Sequence, residues 1–167
     1  MIDRTQDDLL QIKVAENERE LAAVFEIRRR VFVQEQGFTL ADEFDDDDAH
    51  SIHILAQFNG QSVGAARVIP DESCVKIGRV AVLPEFRNQH LGAAIMDFSE
   101  NIASGKGFPQ CQLHAQIQVA DFYRKLGYQS QGEIFNECGW PHISMTKRLE
   151  PPASASKNQF HTTTVDQ

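Results

Sequence analysis

Tyr123, His114, His142, Glu35 and Glu133 carry side chains of the types that can move a proton. A phenol donates hydrogen bonds at neutral pH, whereas imidazole and carboxylate accept protons nearer to it. His114 alternates away from Leu113 and Ala115, so it is free to face a substrate while they face a core. His142 is placed similarly, and a hydrogen-bonded structural histidine suits it equally well. Cys74, Cys111 and Cys138 offer thiols, yet none has the neighbouring sequence signature of a nucleophile–histidine pair. Cys111 shares the phase of Leu113 and Ala115, as packing requires.

A second kind of chemistry is written between Cys74 and Gly105. Val75 and Ile77 lie on one strand phase and Val80 and Val82 on the other, which predicts a β-bulge or splay near Gly78. Pro84 ends the strand. Arg87-Asn88-Gln89-His90-Leu91-Gly92 then leads into a helix with Leu91, Ala94, Ile95 and Phe98 on its apolar positions. Such a turn gathers unpaired backbone N–H groups into an anion receptor suited to phosphate.

These groups need a scaffold, and 167 residues suit a single domain. A short strand is predicted over Leu9–Val14 and a helix over Glu18–Val33. Arg28, Arg29 and Arg30 on that helix read better as a solvated face than as a phosphate site. Seven acids from Glu35 to Asp48 predict a loop beside a groove, serving a cationic amine or simply solvated. Asp45, Asp47 and His50 match no metal-loop spacing. Strands follow over Ile52–Phe58 and Gln61–Ile69, joined by an Asn59-Gly60 hairpin turn. Beyond the central helix come a strand Gln110–Gln116, a helix Val119–Leu126 closed by Gly127, and strands Tyr128–Phe135 and Pro141–Leu149. Residues 150–167 read as a flexible tail after a domain spanning 1–149.

The formal charge of −8 argues against a nucleic-acid partner. No apolar run is long enough to span a membrane, and MIDRTQDDLL lacks a signal-peptide core. Three widely spaced cysteines suit reduced thiols in a cytoplasmic protein. The oligomeric state stays open, a homodimer included.

Val80-Ala81-Val82-Leu83-Pro84 followed by Arg87–Gly92, together with Ala120-Asp121-Phe122-Tyr123-Arg124-Lys125-Leu126-Gly127-Tyr128, resembles the general N-acetyltransferase (GNAT) superfamily from about Leu9 to Leu149. Arg29–Gly37, Gly132–Phe135 and Gly139–Met145 narrow the likeness to the ElaA/YjcF-like branch. The family pattern usually has glycine where this chain has His90. The resemblance implies an α/β (α+β) fold: a mixed, mostly antiparallel sheet with flanking helices, splayed at the cofactor site. It implies acetyl-CoA as cosubstrate, its pantetheine arm on the backbone of Val80, Ala81 and Val82 and its pyrophosphate within Arg87, Asn88, Gln89, His90, Leu91, Gly92 and Ala93. Phe122 and Tyr123 would complete that site. Tyr123 would be the general acid for the departing thiolate, with Glu35, Glu133, His114 and His142 as candidate bases. The acceptor would be a small-molecule or peptide amine, acetylated by direct transfer in a ternary complex. An acyl-CoA-binding regulatory domain with weak catalysis is the alternative.

Overall fold

A computed structural model describes residues 9–152. Most of the expected tail and the first eight residues of the chain lie outside this range. Seven strands form one sheet in the order β1-β2-β3-β4-β5-β7-β6. They are β1 Leu10–Val14, β2 Ile52–Phe58, β3 Gln61–Pro70, β4 Val75–Val82, β5 Gln110–Gln116, β6 Gln129–Glu137 and β7 Trp140–Arg148. Every neighbouring pair is antiparallel except β4 and β5. The helices are α1 Glu18–Arg28, α2 Leu40–Glu43, α3 Leu91–Gly105 and α4 Ala120–Lys125.

Side-chain alternation divides the core between the two sheet faces. On one face Ile54, Val68, Val75, Ile77, Leu113 and Met145 pack with Ile95 and Met96 of α3. On the other, Leu55, Ala65 and Ala81 pack with Val24 and Ile27 of α1. Each fully buried aliphatic side chain contributes roughly 1.5–3 kcal/mol.

Asn17 caps α1 by accepting from the Glu20 N–H at 2.9 Å. The predicted helix does not continue in one winding to Val33: Arg29–Glu35 is a π-helix, in which the Gln36 N–H reaches the Val31 carbonyl. Arg28 corrects the solvated-face reading, for it is wholly buried. Its guanidinium meets Glu43 at 2.8 Å and Asp48 at 2.7 Å, and lies 5.0 Å from the Phe44 ring centre. Charge neutralisation and hydrogen bonding make that burial tolerable. Arg29 and Arg30 do stay exposed, paired with Glu26 and Glu85.

The acidic segment is likewise more ordered than a loop. Arg67 binds Asp45 at 2.6 Å and Asp48 at 2.9 Å, while Arg79 reaches Glu43 at 3.1 Å and Asp45 at 3.3 Å. Only Asp46 and Asp47 of the four aspartates are left out of these pairs.

The phase slip in β4 is a bulge. Ala65 and Arg67 of β3 oppose Ala81 and Gly78, so β4 carries one extra residue. Arg79 accommodates it at φ 52°, the left-handed region. Val80 and Val82 thereby rejoin Val75 and Ile77 on the α3 face, while Ala81 turns towards α1. The parallel pairing of β4 with β5 covers only Val75–Cys111 and Lys76–Gln112, after which the strands part.

Candidate active site

The gap is lined by backbone that has no strand partner. The Leu83 N–H donates to Val63 of β3 at 2.9 Å. By alternation, the N–H and C=O groups of Val82 and Val80 point away from β3, into the gap. The Val82 carbonyl accepts from Arg87 Nε at 2.9 Å.

At the end of this gap the chain makes a nest of amides. Asn88 lies at φ 64° and His90 at φ 61°, and α3 begins directly afterwards. The first helical backbone bond runs from the Ala94 N–H to the His90 carbonyl, so the N–H groups of Leu91, Gly92 and Ala93 have no acceptor within the helix. There is no acidic residue in the first turn and no side-chain cap. A left-handed side chain costs roughly 1–2 kcal/mol, which His90 bears where glycine would bear none. Arg87, Asn88, Gln89 and His90 are all exposed.

Phe122 and Tyr123 come to the same place from α4. A Cβ on Gly92 would lie 3.2 Å from the Phe122 ring, so glycine there lets α4 close on the first turn of α3. Tyr123 stands edge-on to Phe122 and to Tyr128, with centroids 5.0 and 5.9 Å away. Burial pushes its phenol up to about 12, so it remains a protonated donor. Cys111, fully buried in the α3-side core, is also pushed up to about 12 by burial. That makes it an unreactive thiol.

The opposite face carries a second group of polar side chains. His114 Nδ1 lies 3.1 Å from Glu137 Oε1, and His142 Nε2 lies 3.5 Å from Glu137 Oε2. Above them Gln36 accepts from Gln116 at 2.9 Å, and Phe38 tilts against Trp140 with ring centres 5.6 Å apart. The π-helix and the segment after it thus reach β5 and β7 on this face.

The structure therefore gathers Val80, Val82, Arg87–Ala93, Phe122 and Tyr123 around the gap, and His114 with His142 on the other face. Ala81 lines the α1-side core, although its backbone belongs to the same strand. Glu35 sits elsewhere than the histidines, in an ion pair with Arg87. Glu133 is exposed in an irregularity of β6 between Gln131 and Phe135. The Asp45 carboxylate is occupied by arginines, and no three metal-ligating groups cluster among the described residues. Glu137 was not legible as a site residue, because its role depends on strand register. Two concavities, around Lys13, Glu20 and Gln57 and around Phe25, Asp48 and His53, share no residue with the gap. Among the described residues no helix is long and apolar enough to cross a membrane.

The acetyltransferase (GNAT) domain family matches residues 16–149. The N-acetyltransferase YjcF of Bacillus subtilis is 35% identical over 135 residues, covering 80% of this chain and 96% of its own. The solved structure of ElaA from Escherichia coli superposes with a TM-score of 0.73 at 28% identity, over 84% of this chain and 99% of that one. An acyl-CoA N-acyltransferase from Pseudomonas aeruginosa gives the same score, identity and coverage. With a splayed sheet, an amide nest ahead of α3 and a family match across most of its length, this chain belongs to the GNAT acetyltransferase family.

Proposed function

We propose that the protein transfers an acetyl group from acetyl-CoA to a small-molecule or peptide amine, directly, within a ternary complex in the cytoplasm. The observation that carries this reading is the parting of β4 and β5 after two residue pairs, with the Val80 and Val82 backbone facing the opening. Acetyl-CoA supplies an activated thioester. Extended backbone from Val80 to Val82 suits its amide-bearing arm, and the free N–H groups of Leu91–Ala93 suit its phosphates. The Val82 N–H is placed to stabilise negative charge on a carbonyl oxygen in the gap. Tyr123 donates its proton to the departing sulfur.

A panel of amines, read by thiol release and by mass spectrometry of the product, tests the reaction. Tyr123→Phe should lower turnover by about a hundredfold and leave acetyl-CoA affinity nearly unchanged. Equal turnover, where chemistry limits the rate, would remove Tyr123 from this role. Tight acetyl-CoA binding with no product across the panel would favour a regulatory acyl-CoA-binding domain instead.

A further inference from the structure

We propose that Glu137 is a positioning residue that makes His114 the general base of acetyl transfer, with His142 as a second seat for the proton. This rests on the acetyl-transfer reading for its chemistry, but its geometry stands apart from it. Strand register assembles the group. His114 of β5 lies opposite Ser144, and His142 opposite Gln116, so the two histidines are diagonal neighbours on one face. Phe135 lies opposite His142 on the other flank of β7, and Glu137, two residues on, shares its face. Three adjacent strands thus deliver two imidazoles, one carboxylate and one phenyl ring to a single patch.

The hydrogen bonds then specify where protons sit. Glu137 Oε1, as a carboxylate oxygen, only accepts, so the 3.1 Å contact places the proton of neutral His114 on Nδ1. Its Nε2 is left with a lone pair and has no hydrogen-bond partner among the described residues. His142 Nδ1 lies 2.8 Å from the Trp140 carbonyl, another pure acceptor, and so carries a proton as well. Its Nε2 faces Glu137 Oε2 at 3.5 Å. Neutral His142 turns a lone pair to that oxygen; protonated His142 donates to it.

The surroundings hold this arrangement in place. Phe135 stands edge-on to His114 at 5.0 Å and stacks on His142 at 6.1 Å, which restrains both rings. The hydrogen bond from His114, then the charges of His114, His142 and Lys76, hold Glu137 below its ordinary value against the opposing effect of burial. Other charged or titratable groups nearby are Arg79 of β4, Asp42 of α2 and Cys138 of the turn. Glu137 therefore stays an acceptor through the neutral range.

In the reaction an acceptor ammonium gives one proton to His114 Nε2. The nitrogen lone pair freed by that transfer forms the C–N bond at the acetyl carbonyl carbon. The C–S bond breaks with its electron pair on sulfur, which takes the Tyr123 proton. The nitrogen's second proton restores Tyr123 through solvent, and His114 releases its own to bulk water.

Two measurements on the full chain test the assignment. Long-range proton–nitrogen correlation of the histidine rings at pH 8 should find neutral His114 protonated on Nδ1, and Glu137→Ala should move it to the Nε2–H form that free imidazole side chains favour. A wild-type Nε2–H form, or a tautomer unchanged in the variant, overturns the proposal whether or not any acceptor turns over. The second uses acetyl-CoA with benzylamine, an ammonium at neutral pH, and with aniline, a neutral amine. Glu137→Ala and His114→Gln should lower kcat/KM for benzylamine by about a hundredfold at pH 7, far more than for aniline, and the benzylamine loss should shrink as pH rises. Equal losses with both amines would mean a merely structural role and overturn the proposal. If neither amine reacts with the wild type while the tautomer result holds, it is the acceptor assignment that fails.

Discussion

Three arginines and three carboxylates meet beneath α2, whereas two histidines and one carboxylate meet beside the β6–β7 turn. The first group is closed. Arg28 and Glu43 are almost fully buried, and Arg28 donates from each of its three nitrogens. The second is open: Glu137 is 40% exposed, and a ring nitrogen of His114 is left without a hydrogen-bond partner among the described residues. The same kinds of charge thus serve two ends. A network whose charges are paired with one another holds a shape, even with the buried Arg67 Nε left unbonded, and one with a bare lone pair on a half-exposed ring has something left to do.

Breaking the closed network should have the largest effect on folding. Arg28→Ala leaves Glu43 buried without its guanidinium and should cost roughly 3–5 kcal/mol, measured by urea unfolding. Glu137→Ala, by contrast, should change stability by less than about 1 kcal/mol, because the Glu137 side chain is itself 40% exposed. Acid should sharpen the contrast next. The Arg67 hydrogen bond holds Asp45 below its ordinary 3.8. Burial pushes Asp48 up, but Arg28 and Arg67 more than offset it and its net shift is also downward. Their contribution is complete above pH 3.8 and lost as pH falls through the lowered folded values. Glu43 has the opposite sign, since burial raises it above 4.5 despite Arg79 and Arg28. Its contribution is complete below 4.5 and lost as pH rises through the raised folded value. The urea midpoint should therefore fall steeply on the acid side of pH 3.8, and Asp45→Asn should flatten that limb. The smallest effect belongs to Arg29, in a solvent-exposed pair with Glu26. Arg29→Ala should move the midpoint by no more than about 0.5 kcal/mol in free energy.

Local pattern carried far in this chain. The alternation of Cys111, Leu113 and Ala115 located β5 at both ends, and the slip near Gly78 located the bulge, because both are periodic in nearest neighbours. The Arg87–Gly92 turn was equally legible as the entry into α3. Arg28 was misread because a helix face reports its own residues and says nothing of Glu43 and Asp48, which reach it from beyond the helix. Glu137 fell between the strands expected over Tyr128–Phe135 and Pro141–Leu149, and its partners, 23 and 5 positions away, meet it only when β5, β7 and β6 pair. His90 departed from ordinary backbone angles for a reason that no side-chain pattern displays: a tight entry into α3 sets φ there.

The short parallel junction has a mechanical meaning as well. β1–β4 form one raft and β5, β7 and β6 another, and the hydrogen-bonded seam between them is two residue pairs long. A sheet ordinarily resists shear through a whole row of ladder bonds, and this seam has the shortest row in the described sheet. A ligand lying along the open edges would splice the rafts together and stiffen them as one plate. Opening one side would then require letting go of the other, and the molecule's rigidity would follow its state of occupancy.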